Sequence, residues 1–194
     1  MIEAKEIKVM QNRMKVDTES KMPNYRTKVN EEIANPVVCP RCVDEIYSLG
    51  VSLQNYIGSI YLELTVLNKG PKKNLYTNLA LNQLVVKKEI EKLANDNLNR
   101  LLAYFYDNGG PIMEVPVSEK LAKEIQPFFN RIVNSFLNQV DFLVNRTSKG
   151  EMSANDLNIE INNHIISMYT AMGKLFQVDE MQNAFNELIN VREI

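Results

Sequence analysis

The feature that most restricts this chain is a set of apolar residues recurring every three or four positions along most of its length. Ile46, Leu49, Leu53, Ile57, Ile60, Leu64 and Leu67 step by 3, 4, 4, 3, 4 and 3. On a helix this spacing lines up one face; on a strand it would scatter the same residues over both. Leu121, Ile125, Phe129, Ile132, Phe136, Val140 and Leu143 step by 4, 4, 3, 4, 4 and 3. A third stripe holds Leu79, Val86, Ile90, Leu93, Leu101 and Phe105, and a fourth Leu157, Ile161, Ile165, Met168, Met172 and Leu175. Met181, Phe185 and Leu188 mark a last short helix.

Breakers separate these stripes. Gly70-Pro71 ends the first, and the second is expected to run from about Leu75 to Tyr106 before the terminating pair Gly109 and Gly110. The segment PIMEVPV carries two prolines and reads as extended. Ser118 is placed to cap the third helix, and Pro127 predicts a kink or break near Gln126. Ser153 with Asp156 is a near-miss of a capping box, and Asp179 is placed to cap the last helix. Asn97 falls inside the second stripe. It either marks a polar seam position, as a single Asn does in coiled coils, or lies exposed while Leu98 takes over the core. The drift between periods of 3.6 and 3.5 favours the exposed placement.

Helices whose stripes follow steps of 3 and 4, joined by short loops, pack on one another at shallow angles. The expected fold is therefore an all-α, elongated bundle of four to five helices. Residues 1–35 have another character, with seven basic and six acidic residues and no helical stripe. They are read as an N-terminal arm, extended or holding a small hairpin over IKVMQNRMKV, with the bundle domain spanning 36–194. A chain of 194 residues can bury a sizeable core without disulfides, and 45% hydrophobic residues argues against wholesale disorder. No segment approaches the roughly 20 apolar residues of a membrane span, and the charged start lacks the apolar stretch of a signal peptide. A reducing cytosol, the protein's own or a host's, is the expected compartment.

The chemistry-bearing candidates are few. Both cysteines, Cys39 and Cys42, lie in the motif CPRC ahead of the first helix. Two thiolates on one tight turn supply half of a tetrahedral zinc site. The other half would have to come from a second chain or a distant ligand, since there is no second CxxC and the one histidine is His164. A redox pair would require a βαβ context, which the pattern does not offer. The remaining reading is a proline-containing turn whose cysteines act as small apolar residues. His164 follows Glu160 by four positions, but a di-metal bundle needs Glu-x-x-His on two helices. A net charge of −2, an acidic C-terminal third and a single small basic turn, KGPKK, argue against a phosphate-binding surface.

No catalytic set assembles from these residues, so the sequence points to a non-catalytic structural, assembly or adaptor protein. It would act through helix packing and its arm, as a homo-oligomer or against another protein. A virion component fits the arm, the long helices and the asparagine-rich composition by analogy. The alternative is a small zinc-dependent regulatory or nucleic-acid-binding accessory protein, with Cys39 and Cys42 as its metal half-site.

Overall fold

A computed structural model describes residues 38–109 and 117–192. The expected arm over 1–35, its hairpin, and most of PIMEVPV lie outside the described residues. Five helices follow in order: α1 (Val43–Leu67), α2 (Pro71–Asn108), α3 (Glu119–Ser148), α4 (Ala154–Gly173) and α5 (Asp179–Asn190). The described residues contain no strand, so the all-α expectation holds. None of these helices is long and apolar enough to cross a membrane.

Local chemistry sets the boundaries. Gly70 takes φ 61°, a conformation that glycine adopts without strain, and Pro71 then opens α2 at its first position. The helix therefore starts four residues earlier than the apolar stripe suggested. Gly109 closes it in the left-handed region, donating its N–H to the Phe105 carbonyl at 3.0 Å. Ser118 caps α3 by accepting the Leu121 N–H at 3.2 Å. Ser153 caps α4, accepting the Asp156 N–H at 3.1 Å while its hydroxyl donates to the Asp156 carboxylate at 2.7 Å. The residue ahead of α5 is Val178, with no side-chain cap; Asp179 is instead the first helical residue, where its charge faces the positive end of the helix dipole. α3 runs unbroken through Pro127. Proline removes one backbone donor there, and its exposed position leaves the orphaned carbonyl within reach of water.

The loop of residues 68–70 reverses the chain, so α2 returns along α1; residues 149–153 do the same for α3 and α4. α5 packs on both α4 and α1, and α4 also meets α2, which joins the two hairpins. Ile46, Ile57 and Leu64 of α1, Ile90 of α2, Phe129 of α3, and Leu157, Ile161 and Ile165 of α4 are almost wholly enclosed. Each such side chain contributes about 1.5–3 kcal/mol on burial. α5 adds Phe185, whose ring stacks on Phe176 at 5.8 Å and lies 6.2 Å from Tyr169. At Gly50 an added Cβ would stand 2.9 Å from Leu188 Cδ2 and 3.3 Å from Ile90 Cγ2.

Leu67 and Leu121, stripe positions at helix ends, are exposed, and two further departures lie toward the end of α2. Asn97 is buried and Leu98 is exposed, the reverse of the drift reading. Phe105, placed on the core stripe, is 45% exposed. Both follow from where α1 begins: Asp44 stands opposite Asn97, so beyond that point α2 has no α1 to pack against.

Candidate functional site

The CPRC turn is held from two sides. The Cys39 N–H donates to Gln126 Oε1 of α3 at 2.8 Å, and Val117, two residues before α3, donates its N–H to the Arg41 carbonyl at 2.8 Å. Arg41 Nε donates to the Val117 carbonyl at 3.1 Å, and the Arg41 N–H donates to Glu45 Oε2 at 2.6 Å. Cys42 is the last residue before α1, in extended conformation and without a side-chain cap. Both cysteines remain thiols. Cys39 is 1% exposed, and burial, with the Glu45 charge adding to it, pushes its thiol up to about 11. A group so held is a neutral apolar side chain at neutral pH, not a thiolate nucleophile. The motif stitches the start of α1 to the start of α3. Among the described residues, no three His, Cys, Asp or Glu side chains gather in a metal-holding group. His164 is half-buried on α4 and forms no ion pair with Glu160.

The second feature is the far end of α2. From Leu98 onward the helix carries Leu98, Leu102, Tyr104, Phe105 and Tyr106 at 45–78% exposure. Leu98, Leu102 and Phe105 recur at steps of 4 and 3 and so share one face. That face lies about a quarter turn from the side bearing Asn97, because each residue rotates the helix by about 100°. At the root of this segment Asn97 Nδ2 donates to Asp44 Oδ1 at 2.9 Å, and Arg100 donates to Asn97 Oδ1 at 2.8 Å. Tyr47 of α1 donates its hydroxyl to Glu187 of α5, and burial together with that carboxylate pushes the Tyr47 phenol up. The start of α1 is therefore pinned to both α2 and α5 where α2 leaves the bundle.

A third cluster went unnoticed in the sequence. Arg192, just past α5, reaches among Gln54 of α1, Gln83 of α2 and Asn162 of α4. Tyr61 and Tyr169 stand close enough for its charge to be felt at both phenols. The signal was partial: Gln83 falls on the second stripe, four residues after Leu79 and three before Val86, whereas Gln54 only adjoins the stripe position Leu53.

Comparison with family models, curated proteins and solved structures finds no match to the chain. The functional reading therefore rests on these three arrangements alone.

Proposed function

We propose that this chain is a non-catalytic assembly protein that self-associates through the projecting end of α2. One observation carries the reading. Five large apolar side chains stand exposed on the eleven residues that follow Asn97 in α2. Together they offer on the order of 500 Å2 of apolar surface, the upper end for the largest patch on a typical monomer. An isolated helix end of this length has too few residues to be stable in water without packing. A second copy laid antiparallel across it would set Leu102 of each chain against Phe105 of the other, a self-complementary two-fold contact. The exposed phenols of Tyr104 and Tyr106 suit the rim of such an interface, where an apolar ring and a wet hydroxyl are both accommodated. The N-terminal arm over 1–35 would add contacts to neighbouring subunits.

Light scattering after size-exclusion chromatography tests this directly. The wild-type chain should show a mass above that of one chain, rising with concentration. Leu102→Glu and Phe105→Glu, at exposed positions, should keep the helical circular dichroism and reduce the mass to a monomer. A wild-type chain that stays monomeric at the highest reachable concentration refutes the proposal.

A further inference from the structure

The outward side of α3 carries a symmetry that the bundle does not use. Phe128 and Phe142 are 55% and 57% exposed, while the buried side of the helix packs on α4. Single apolar residues on a surface need no explanation. These two, however, lie seven residues either side of Ser135, so all three share one face. Four residues either side of Ser135 stand Arg131 and Gln139, and eleven residues either side stand Glu124 and Arg146. With each residue turning the helix by about 100°, all six fall within about 40° of Ser135 around the axis. All are exposed except Arg146, which is half-buried.

Two such helices laid antiparallel and crossing at Ser135 would bring these positions together in complementary pairs. Phe128 would face Phe142 of the second copy, and Glu124 would face Arg146 of the second copy, each twice. Arg131 would face Gln139, whose amide oxygen accepts from a guanidinium. Ser135 is small, so the axes can approach where they cross. A parallel pair in register would instead set Glu124 on Glu124 and Arg131 on Arg131, and like charges across a contact are costly. The rings are partly ordered in advance. The Arg131 guanidinium lies over the Phe128 ring at 5.9 Å, and that of Arg146 over Phe142 at 5.8 Å. A side chain already restrained loses less freedom on docking. Arg146 Nε also stands 3.8 Å from Glu151 Oε2, an exposed pair weak enough in water to admit a second carboxylate.

We infer that this side of α3 docks a second copy of the chain, antiparallel about a two-fold axis at Ser135. Its apolar share is two rings from each copy, and the facing stripes cover on the order of 1,000 Å2 in total, the low end for specific contacts. The contact is therefore weak and short-lived, and it separates on chromatographic dilution. It is independent of the α2 surface. Where both operate, two different two-fold contacts on one chain carry association beyond a pair, and that consequence alone rests on the α2 proposal.

Disulfide trapping reads such a contact. The full chain would carry Leu102→Glu and Phe105→Glu to silence α2, Cys42→Ser to remove the less buried native thiol, and either Ser135→Cys or Asn134→Cys. Asn134 is exposed as well but lies about 100° round the helix. A disulfide needs its Cα atoms within about 7 Å, so under mild oxidation Ser135→Cys should form covalent dimers about tenfold faster than Asn134→Cys. Glu124→Arg or Arg146→Glu, added singly to Ser135→Cys, sets like charges together and should slow trapping; the two together should restore it. Circular dichroism checks that each variant folds. If Arg146→Glu does not, Glu124→Arg and the comparison of Ser135 with Asn134 decide. Trapping at Ser135 no faster than at Asn134 would overturn the inference, as would a charge-swapped double variant that traps no better than the single ones.

Discussion

Asn97 on α2 donates its side-chain amide to Asp44 Oδ1 on α1 at 2.9 Å, and this bond marks the level at which the two helices part. Asn97 also accepts from Arg100 Nη2 at 2.8 Å, so its carbonyl and amide both have partners. Replacing it with Ala removes both bonds and leaves polar atoms of Asp44 and Arg100 without those contacts. Asn97→Ala should cost about 1–3 kcal/mol. Asn97→Leu should not restore that stability, because the apolar side chain cannot meet Asp44. Urea unfolding followed by circular dichroism measures both.

Gly50 lies where α1, α2 and α5 converge. Alanine there would gain helix propensity of about 1 kcal/mol. Its Cβ, however, would stand 2.9 Å from Leu188 Cδ2, and Leu188 is fully enclosed and has little room to withdraw. Overpacking of this kind costs about 1–3 kcal/mol, so Gly50→Ala should be net destabilising by about 1 kcal/mol. A more stable variant would show that Leu188 can turn aside.

The caps of α3 and α4 can be separated by single substitutions. Ser153→Ala removes both the cap to the Asp156 N–H and the return bond to its carboxylate. It should cost about 1 kcal/mol, and Ser118→Ala a similar amount. Ser153→Asp should keep most of the capping bond to the Asp156 N–H yet place two carboxylates together, so its stability should fall between the wild type and Ser153→Ala. Thermal melts of the three variants give the order.

Alkaline pH should weaken the fold through its buried phenols. Burial pushes Tyr169 up to about 12, with Arg192 and the Gln54 amide pulling the other way, and Tyr47 and Tyr61 are also raised, both chiefly by burial. A phenol raised on folding contributes stability that is fully present below its unfolded value of about 10 and is lost as pH climbs through the folded value. Stability should therefore be flat on the acid side of that value and drop between about pH 10 and 12. Phenolate absorbance at 295 nm, recorded beside the unfolding free energy, would show late ionisation coinciding with loss of structure; three phenols ionising near the free value in the folded chain would contradict the burial seen here.

The two cysteines should behave differently. Cys39, enclosed at 1% exposure, should react with a disulfide reagent only as fast as the protein opens, whereas half-buried Cys42 should react sooner. Cys39→Ser places a hydroxyl in an apolar setting and should destabilise by about 1–2 kcal/mol, with Cys42→Ser closer to neutral. Under the turn reading neither effect depends on zinc. Added zinc that stabilises the wild type by several kcal/mol and leaves the double variant unchanged would support the metal half-site.

Among the described residues, the sequence by itself determined the order and type of the helices. Apolar spacing is a local property, and Gly70-Pro71, Ser118, Ser153 and Gly109 mark ends through backbone geometry that needs no distant partner. Core positions such as Ile57, Phe129, Ile161 and Phe185 followed from the same stripes. Which polar residues turn inward was decided only by tertiary structure. Asn97 is buried because Asp44 meets it at the start of α1, and Leu98 and Phe105 are exposed because α1 does not extend past that point. Arg192, Gln54, Gln83 and Asn162 come from four separate segments, and no spacing along the chain relates them. Helical period tells which side of a helix is apolar, whereas the length of its neighbour and the approach of a distant side chain fix what that side touches.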